Sequence, residues 1–208
     1  MLKSGRATAA APRPRQLRGF TLIELLTTFV VLGVLVSLAL PSFSIWIGNA
    51  QIRTVADSLQ NGIRLAQAEA VRRNRQVVLS FTDATPRLNA AAVAGGKSWS
   101  LQTVQQFSAG DSEFIQGGAF TDIASSVTIE SVGTPLTALC FNSSGRMVVN
   151  ATPGPANSAC IAANATFEIN RNTSDRRLRV LVGVGGQVRI CDPGRPTLSS
   201  DSPDGCPA

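Results

Sequence analysis

The residue types that carry chemistry are unevenly supplied in this 208-residue chain. It contains no histidine, which removes Ser-His-Asp and Cys-His catalysis and every histidine-containing zinc site. Its four cysteines, Cys140, Cys160, Cys191 and Cys206, form no C-x-x-C pair, so a zinc ribbon is disfavoured. An even cysteine count behind a membrane-targeting segment reads as two disulfides formed in an oxidising compartment. Three pairings are open; Cys140–Cys160 with Cys191–Cys206 is favoured because those bonds close short local loops. Asp111 and Glu113 lie close together on a polar stretch, but no acid or cysteine cluster offers a full ligand set, and no metal site is expected. "AAVAGGKSW" (91–99) has alanine where a phosphate-binding loop needs its first glycine, and reads as an ordinary loop. The Asn-x-Ser/Thr triplets at Asn142, Asn150, Asn164 and Asn172 are the kind that polar loops generate by composition. No enzyme and no cofactor are expected.

Two charged features remain. One is Glu24, the single charge between Phe20 and Ile47, inside "RGFTLIELL". The other is a run of arginines near the C-terminus: Arg171, Arg176, Arg177, Arg179, Arg189 and Arg195, against Asp175 and Asp192. Arginine grips phosphates bidentately, so the second feature raises nucleic-acid binding. The whole-chain charge of +6 does not support that reading. Five of the nineteen bases (Lys3, Arg6, Arg13, Arg15, Arg18) precede Gly19 with no acid among them. Without them, fourteen bases face thirteen acids, a net +1.

The elements that must position these residues follow from hydrophobic period. Residues 1–19 are basic and rich in Ala and Pro, a composition that predicts disorder. The apolar run from Phe20 to Ile47 is about 42 Å long as a helix, more than the roughly 30 Å hydrocarbon core of a membrane. The basic leader marks the cytoplasmic side and sends the remainder of the chain outside. A secretory signal places its small-residue cleavage site after the apolar run. Here Gly19 precedes it, so cutting after Gly19 would remove the leader and keep the hydrophobic helix.

Basic leader, Gly19, Phe20 and Thr-Leu-Ile-Glu together resemble a class III prepilin signal of type IV pilin-like proteins. The resemblance implies cleavage between Gly19 and Phe20 by a prepilin peptidase, N-methylation of Phe20 by the same enzyme, and a role for Glu24 in assembly and axial register. Pro41 matches the helix-kinking proline of that family. It implies, too, a bacterial inner-membrane protein with a periplasmic head, drawn into a filament beside other minor and major pilins or pseudopilins.

Beyond Pro41, which lacks an N–H for the helical ladder, Ile52, Val55, Leu59, Ile63, Ala66 and Ala70 recur at three- and four-residue steps. They predict one helix from about Leu22 to Arg73, ending in the basic cluster Arg72, Arg73 and Arg75, which suits a solvated helix C-terminus. Val77, Leu79 and Phe81 then alternate as a strand. This helix-to-strand stretch resembles the GspH/FimT/FimU family of minor pilins and pseudopilins. Further strands are expected at Ser98–Phe107, Val127–Glu130, Ala138–Phe141, Met147–Val149, Thr166–Asn170, Leu178–Val182 and Gln187–Ile190, with loops at 83–97 and 108–125.

The expected fold is α+β: a long N-terminal hydrophobic helix packed on an antiparallel sheet or sandwich head with two disulfides. The expected organisation is 1–19 cleaved leader, 20–47 membrane and filament-core helix, and 48–208 amphipathic continuation plus head. Three functions fit: a minor pilin at the tip of, or priming, a type IV pilus; the H-type minor pseudopilin of a type II secretion system; or a FimT-type DNA-binding pilin. The last would use Arg177, Arg179, Arg189 and Arg195, although Gly194-Arg195-Pro196-Thr197 breaks the Gly-Arg-x-Arg pattern that the family resemblance implies.

Overall fold

The computed structural model describes residues 19–106, 110–172 and 174–207, with the side chain of Pro41 excepted. The expectation of a disordered leader therefore lies outside the described residues. The chain divides into two compact units, Met1–Pro41 and Ser42–Ala208.

Helix α1 spans Leu22–Arg73, as the apolar period predicts. Within the first unit its apolar side chains are bare: Leu22, Val30 and Leu38 are among many left exposed. Polar groups there are satisfied locally. The hydroxyls of Thr27, Thr28 and Ser37 donate to the carbonyls of Glu24, Leu25 and Val34. Such back-bonding lets a hydroxyl sit in an apolar environment without an orphaned donor.

In the second unit the same helix becomes one-sided. Ile52, Val55, Leu59, Ile63, Ala66 and Ala70 are all buried, forming the stripe that the three- and four-residue spacing predicts. The helix stops through a left-handed cap. Asn74 takes a φ of 49°, Arg75 N–H donates to Ala70 O, and Asn74 N–H donates to Val71 O. Asparagine tolerates this conformation better than most residues, and the pair of bonds satisfies two terminal carbonyls.

The helix packs on two antiparallel four-stranded sheets. The first contains β1 (Val77–Thr82), β2 (Ser98–Thr103), β3 (Phe114–Ala119) and β5 (Ala138–Phe141), in the order β3-β2-β1-β5. The second contains β4 (Thr128–Ser131), β6 (Ala165–Asn170), β7 (Leu178–Val182) and β8 (Val188–Cys191), in the order β4-β6-β7-β8. Leu79, Phe81, Leu101 and Phe141 from the first sheet share a core with Phe167, Ile169, Val180 and Val182 from the second. The Phe81 and Phe167 rings meet across it at 5.1 Å between centroids. Strand β1 is buried along its whole length. Its other face carries Val78, which clusters with Ala138, Val104 and the Cys140–Cys160 pair.

Several predicted boundaries move. β2 ends at Thr103 rather than Phe107, although the Val104 N–H still donates to Gln76 O in register with the Val77–Thr103 pair. Met147–Val149 is not a strand: Met147 makes an isolated bridge to Phe141, while its N–H donates to Val184 O. The 108–125 segment, expected to be a loop, contains β3 and a 3-10 turn at Phe120–Asp122. β3 reads Phe-Ile-Gln-Gly-Gly-Ala, which has no alternation. Its glycines answer a packing demand instead. A Cβ on Gly118 would lie 2.9 Å from Trp99 Nε1, and one on Gly62 of α1 would lie 3.3 Å from Trp99 Cε2. The buried indole thus fills a slot that only two glycines leave open.

Candidate functional site

The N-terminal motif is built on the start of α1. Gly19 and Phe20 precede the helix, both exposed, and a Cβ on Gly19 would meet nothing within 4 Å. Thr21 caps the helix: its Oγ1 accepts from Glu24 N–H at 3.3 Å, and its carbonyl accepts from Leu25 N–H at 3.1 Å. Thr-Leu-Ile-Glu is therefore also a capping-box pattern, a signal present in the sequence that spacing arguments about register overlook. Glu24 is exposed in the first turn, where the helix dipole favours a negative charge. The helix continues through Pro41, which contributes no N–H toward the Ser37 carbonyl.

The basic cluster at the end of α1 is paired rather than free in solvent. Glu69 accepts from Arg72 at 2.6 Å and from Arg73 at 2.7 Å. Arg73 also reaches Glu113. Those hydrogen bonds hold the Glu69 carboxyl down at about 2 against an ordinary 4.5, and they raise both arginines. Arg75 donates to the carbonyls of Val104 and Asp111 and pairs with the Asp111 carboxylate. Asp111 and Glu113 thus tie the β2–β3 connection to the helix end. The Glu69 spacing of three and four residues to Arg72 and Arg73 was the available signal.

The C-terminal arginines are distributed among internal partners too. Arg177 and Arg179 both pair with Glu168, at 3.2 and 2.8 Å. Arg189 donates to Pro203 O at 2.6 Å. Asp192, buried, is held by Arg176, with Arg195 4.0 Å away and Gly194 N–H donating. Burial pushes the Asp192 carboxyl up, but the Arg176 and Gly194 hydrogen bonds outweigh it, leaving it below its ordinary value and Arg176 raised. Arg171 donates to Gln51 Oε1 on α1. The four arginines proposed for phosphate contact are not a free cationic cluster.

Cys140 pairs with Cys160 and Cys191 with Cys206, the two short-loop closures. The second bond ties the C-terminal segment beside β8, where Asp192 and Gly205 form a parallel bridge. Among the described residues no cluster of three or more acids or cysteines is arranged to hold a metal.

A processing motif at the head of an apolar helix, continued into a helix that carries two antiparallel sheets, defines a pilin-like protein. The family model described as type II transport protein GspH matches residues 55–186, and that for the prokaryotic N-terminal methylation motif matches residues 15–40. The chain belongs to the GspH family of minor pilins and pseudopilins. Among solved structures it is similar to the type IV minor pilin FimU of Pseudomonas aeruginosa, with 18% identity and a TM-score of 0.50 over 77% of this chain and 98% of that one. It is also similar to the minor pseudopilin EpsH from the type 2 secretion system of Vibrio cholerae, with 14% identity and a TM-score of 0.43 over 70% of this chain and 99% of that one. No curated protein sequence matches it.

Proposed function

We propose that this chain is a non-catalytic structural subunit of a type IV pilus, made as a membrane-held precursor and incorporated at the tip or in a priming complex. The observation that carries the reading is the methylation motif at 15–40 heading a helix whose apolar side chains are left bare. Such a surface needs lipid before assembly and neighbouring helices after it. The precursor lies in the bacterial inner membrane with residues 48–208 in the periplasm.

A prepilin peptidase cuts between Gly19 and Phe20 and methylates the new amine of Phe20. That amine is charged near neutral pH, its reference pKa being about 8. A carboxylate in lipid costs on the order of 2.5–3.5 kcal/mol at mid-bilayer and less near an end. The Phe20 amine of an adjacent subunit offsets that cost at Glu24, and the pair sets axial register. Pro41 is the position at which the helix bends to meet its neighbours. The secretion-system reading shares every one of these features; the disulfide-tied segment from Cys191 to Cys206 tilts the choice toward the pilus branch. DNA binding is the weakest reading, since Arg177 and Arg179 share Glu168 and Arg189 is held by Pro203 O.

Mass analysis of protein isolated from its host is expected to find N-methylated Phe20 as the first residue; retention of the basic leader refutes the proposal. Glu24→Ala is expected to be cleaved and membrane-inserted yet poorly incorporated into filaments. A deletion strain separates the branches: loss of surface pili supports this reading, whereas loss of protein export alone supports a secretion pseudopilus.

A further inference from the structure

The two sheets end in the edge strands β3, β5, β4 and β8, and all but β3 are covered or charged. The outer side of β5 takes the Val148 N–H at Cys140 O and the Phe141–Met147 bridge. The C-terminal segment lies beside β8, through the Cys191–Cys206 bond, the Asp192–Gly205 bridge and Arg189 on Pro203 O. β4 carries Glu130, and a Cβ on Gly95 would lie 2.9 Å from Ile129 O. β3 has neither charge nor proline, the usual guards of an edge, and no described segment is hydrogen-bonded along its outer side. Its bulge falls near Phe114, so the strand is regular from Gln116 to Ala119. Phe120 N–H donates to Lys97 O. The alternation of the ladder therefore turns Gln116 and Gly118 toward β2 and aims the N–H and C=O of Gly117 and Ala119 outward. A groove lies on each face of this edge. Leu65, Trp99 and Ile123 line one of about 350 Å³, with Asn61 and Gln116 beside them. Thr85, Pro86 and Asp122 line the other, of about 720 Å³. A Cβ on Gly118 would meet Trp99 and one on Gly117 would meet Pro86, which sets the grooves on opposite faces.

We propose that β3 is an acceptor edge, to which an extended segment of a different pilin subunit adds as a further strand of the first sheet. The proposal rests on the filament-subunit reading above. Free N–H and C=O groups along a strand edge recognise extended backbone. Successive side chains of the added strand fall on opposite faces. The segment is therefore apolar where it meets Leu65, Trp99 and Ile123, and polar where it meets Thr85 and Asp122. A second copy of this chain is a poor donor. Among its described strands β3 alone has an open edge, and β3 paired with β3 about a two-fold axis closes on itself. Filament subunits instead meet their neighbours through unlike surfaces.

The test compares residue-resolved amide hydrogen exchange of the full chain in detergent micelles and in assembled filaments from the host. In micelles Gln116 and Gly118 are expected to be protected while Gly117 and Ala119 exchange freely. In filaments Gly117 and Ala119 are expected to slow by about tenfold for each hydrogen bond gained, with β4 amides unchanged. A photo-crosslinker at Gln116 is expected to join one short segment of a different subunit. Ala119→Pro removes an outward N–H and leaves the β2–β3 ladder in place, and it is expected to abolish the Gly117 slowing. Gln116→Lys, which guards the edge with a charge, is expected to do the same and covers the case in which the proline disturbs the strand. In both variants β1 exchange in micelles is expected to match wild type. Free exchange of Gly117 and Ala119 in filaments that contain the chain overturns the proposal, as does a Gln116 adduct with a second copy of this chain. Absence of the chain from filaments would instead refute the filament-subunit reading beneath it.

Discussion

Replacing Glu69 by glutamine removes the charge that gathers Arg72 and Arg73 at the end of α1 and leaves Arg73 with Glu113 alone. A carboxylate whose pKa falls from 4.5 to about 2 on folding carries a gross linkage of about 3 kcal/mol. Arg72 is 64% exposed, so solvent screens much of that, and the net loss expected at neutral pH is about 1–2 kcal/mol. The pH dependence identifies the cause. Because the folded value lies below the unfolded one, the stabilisation is complete above about pH 4.5 and vanishes as pH falls through about 2. At pH 3 about two-fifths of it should survive. Urea unfolding of the full chain in detergent micelles, followed at several pH values for wild type and Glu69→Gln, measures the difference directly. A gap between the two that stays constant down to pH 2, or no gap at pH 7, would refute the argument that charge, rather than side-chain packing, holds this corner.

Three further outcomes follow from the structure. Gly118→Val should cost about 1–3 kcal/mol, because its side chain enters the space of the Trp99 indole, and a lowered melting temperature with altered tryptophan emission would register it. The double variant Cys191→Ser/Cys206→Ser should keep the head folded but lose about 3 kcal/mol, with β8 exchanging faster than β6. Duplex DNA at low salt should give no measurable gel shift with the full chain, because the arginines that would grip phosphate already have partners; Glu168→Ala, which frees Arg177 and Arg179, should be the variant that gains affinity.

The residues that were legible in advance share one property: their roles depend on neighbours close in sequence. The α1 stripe from Ile52 to Ala70, the Val77–Thr82 strand and both short disulfide loops all follow from local spacing. β3 was not legible, because Gly117 and Gly118 weaken any strand pattern while being required by Pro86 and Trp99 from elsewhere in the chain. The partners of the arginines were not legible for the same reason. A cationic cluster looks identical in sequence whether solvent or an acid brought by another strand stands beside it.

By itself, then, the amino-acid order determined that an apolar helix follows a basic leader, that Glu24 stands alone in it, and that a strand-rich head closes with two cysteine pairs. Those are consequences of hydrophobic period and charge placement, which act over a few turns or across a membrane's thickness. Only the tertiary structure decided which charges are spent. Packing two sheets on α1 sets Glu168 between Arg177 and Arg179, buries Asp192 beside Arg176, and carries Arg171 across 120 residues to Gln51. Electrostatic attraction depends on separation in space, and only folding converts distance along the chain into that separation.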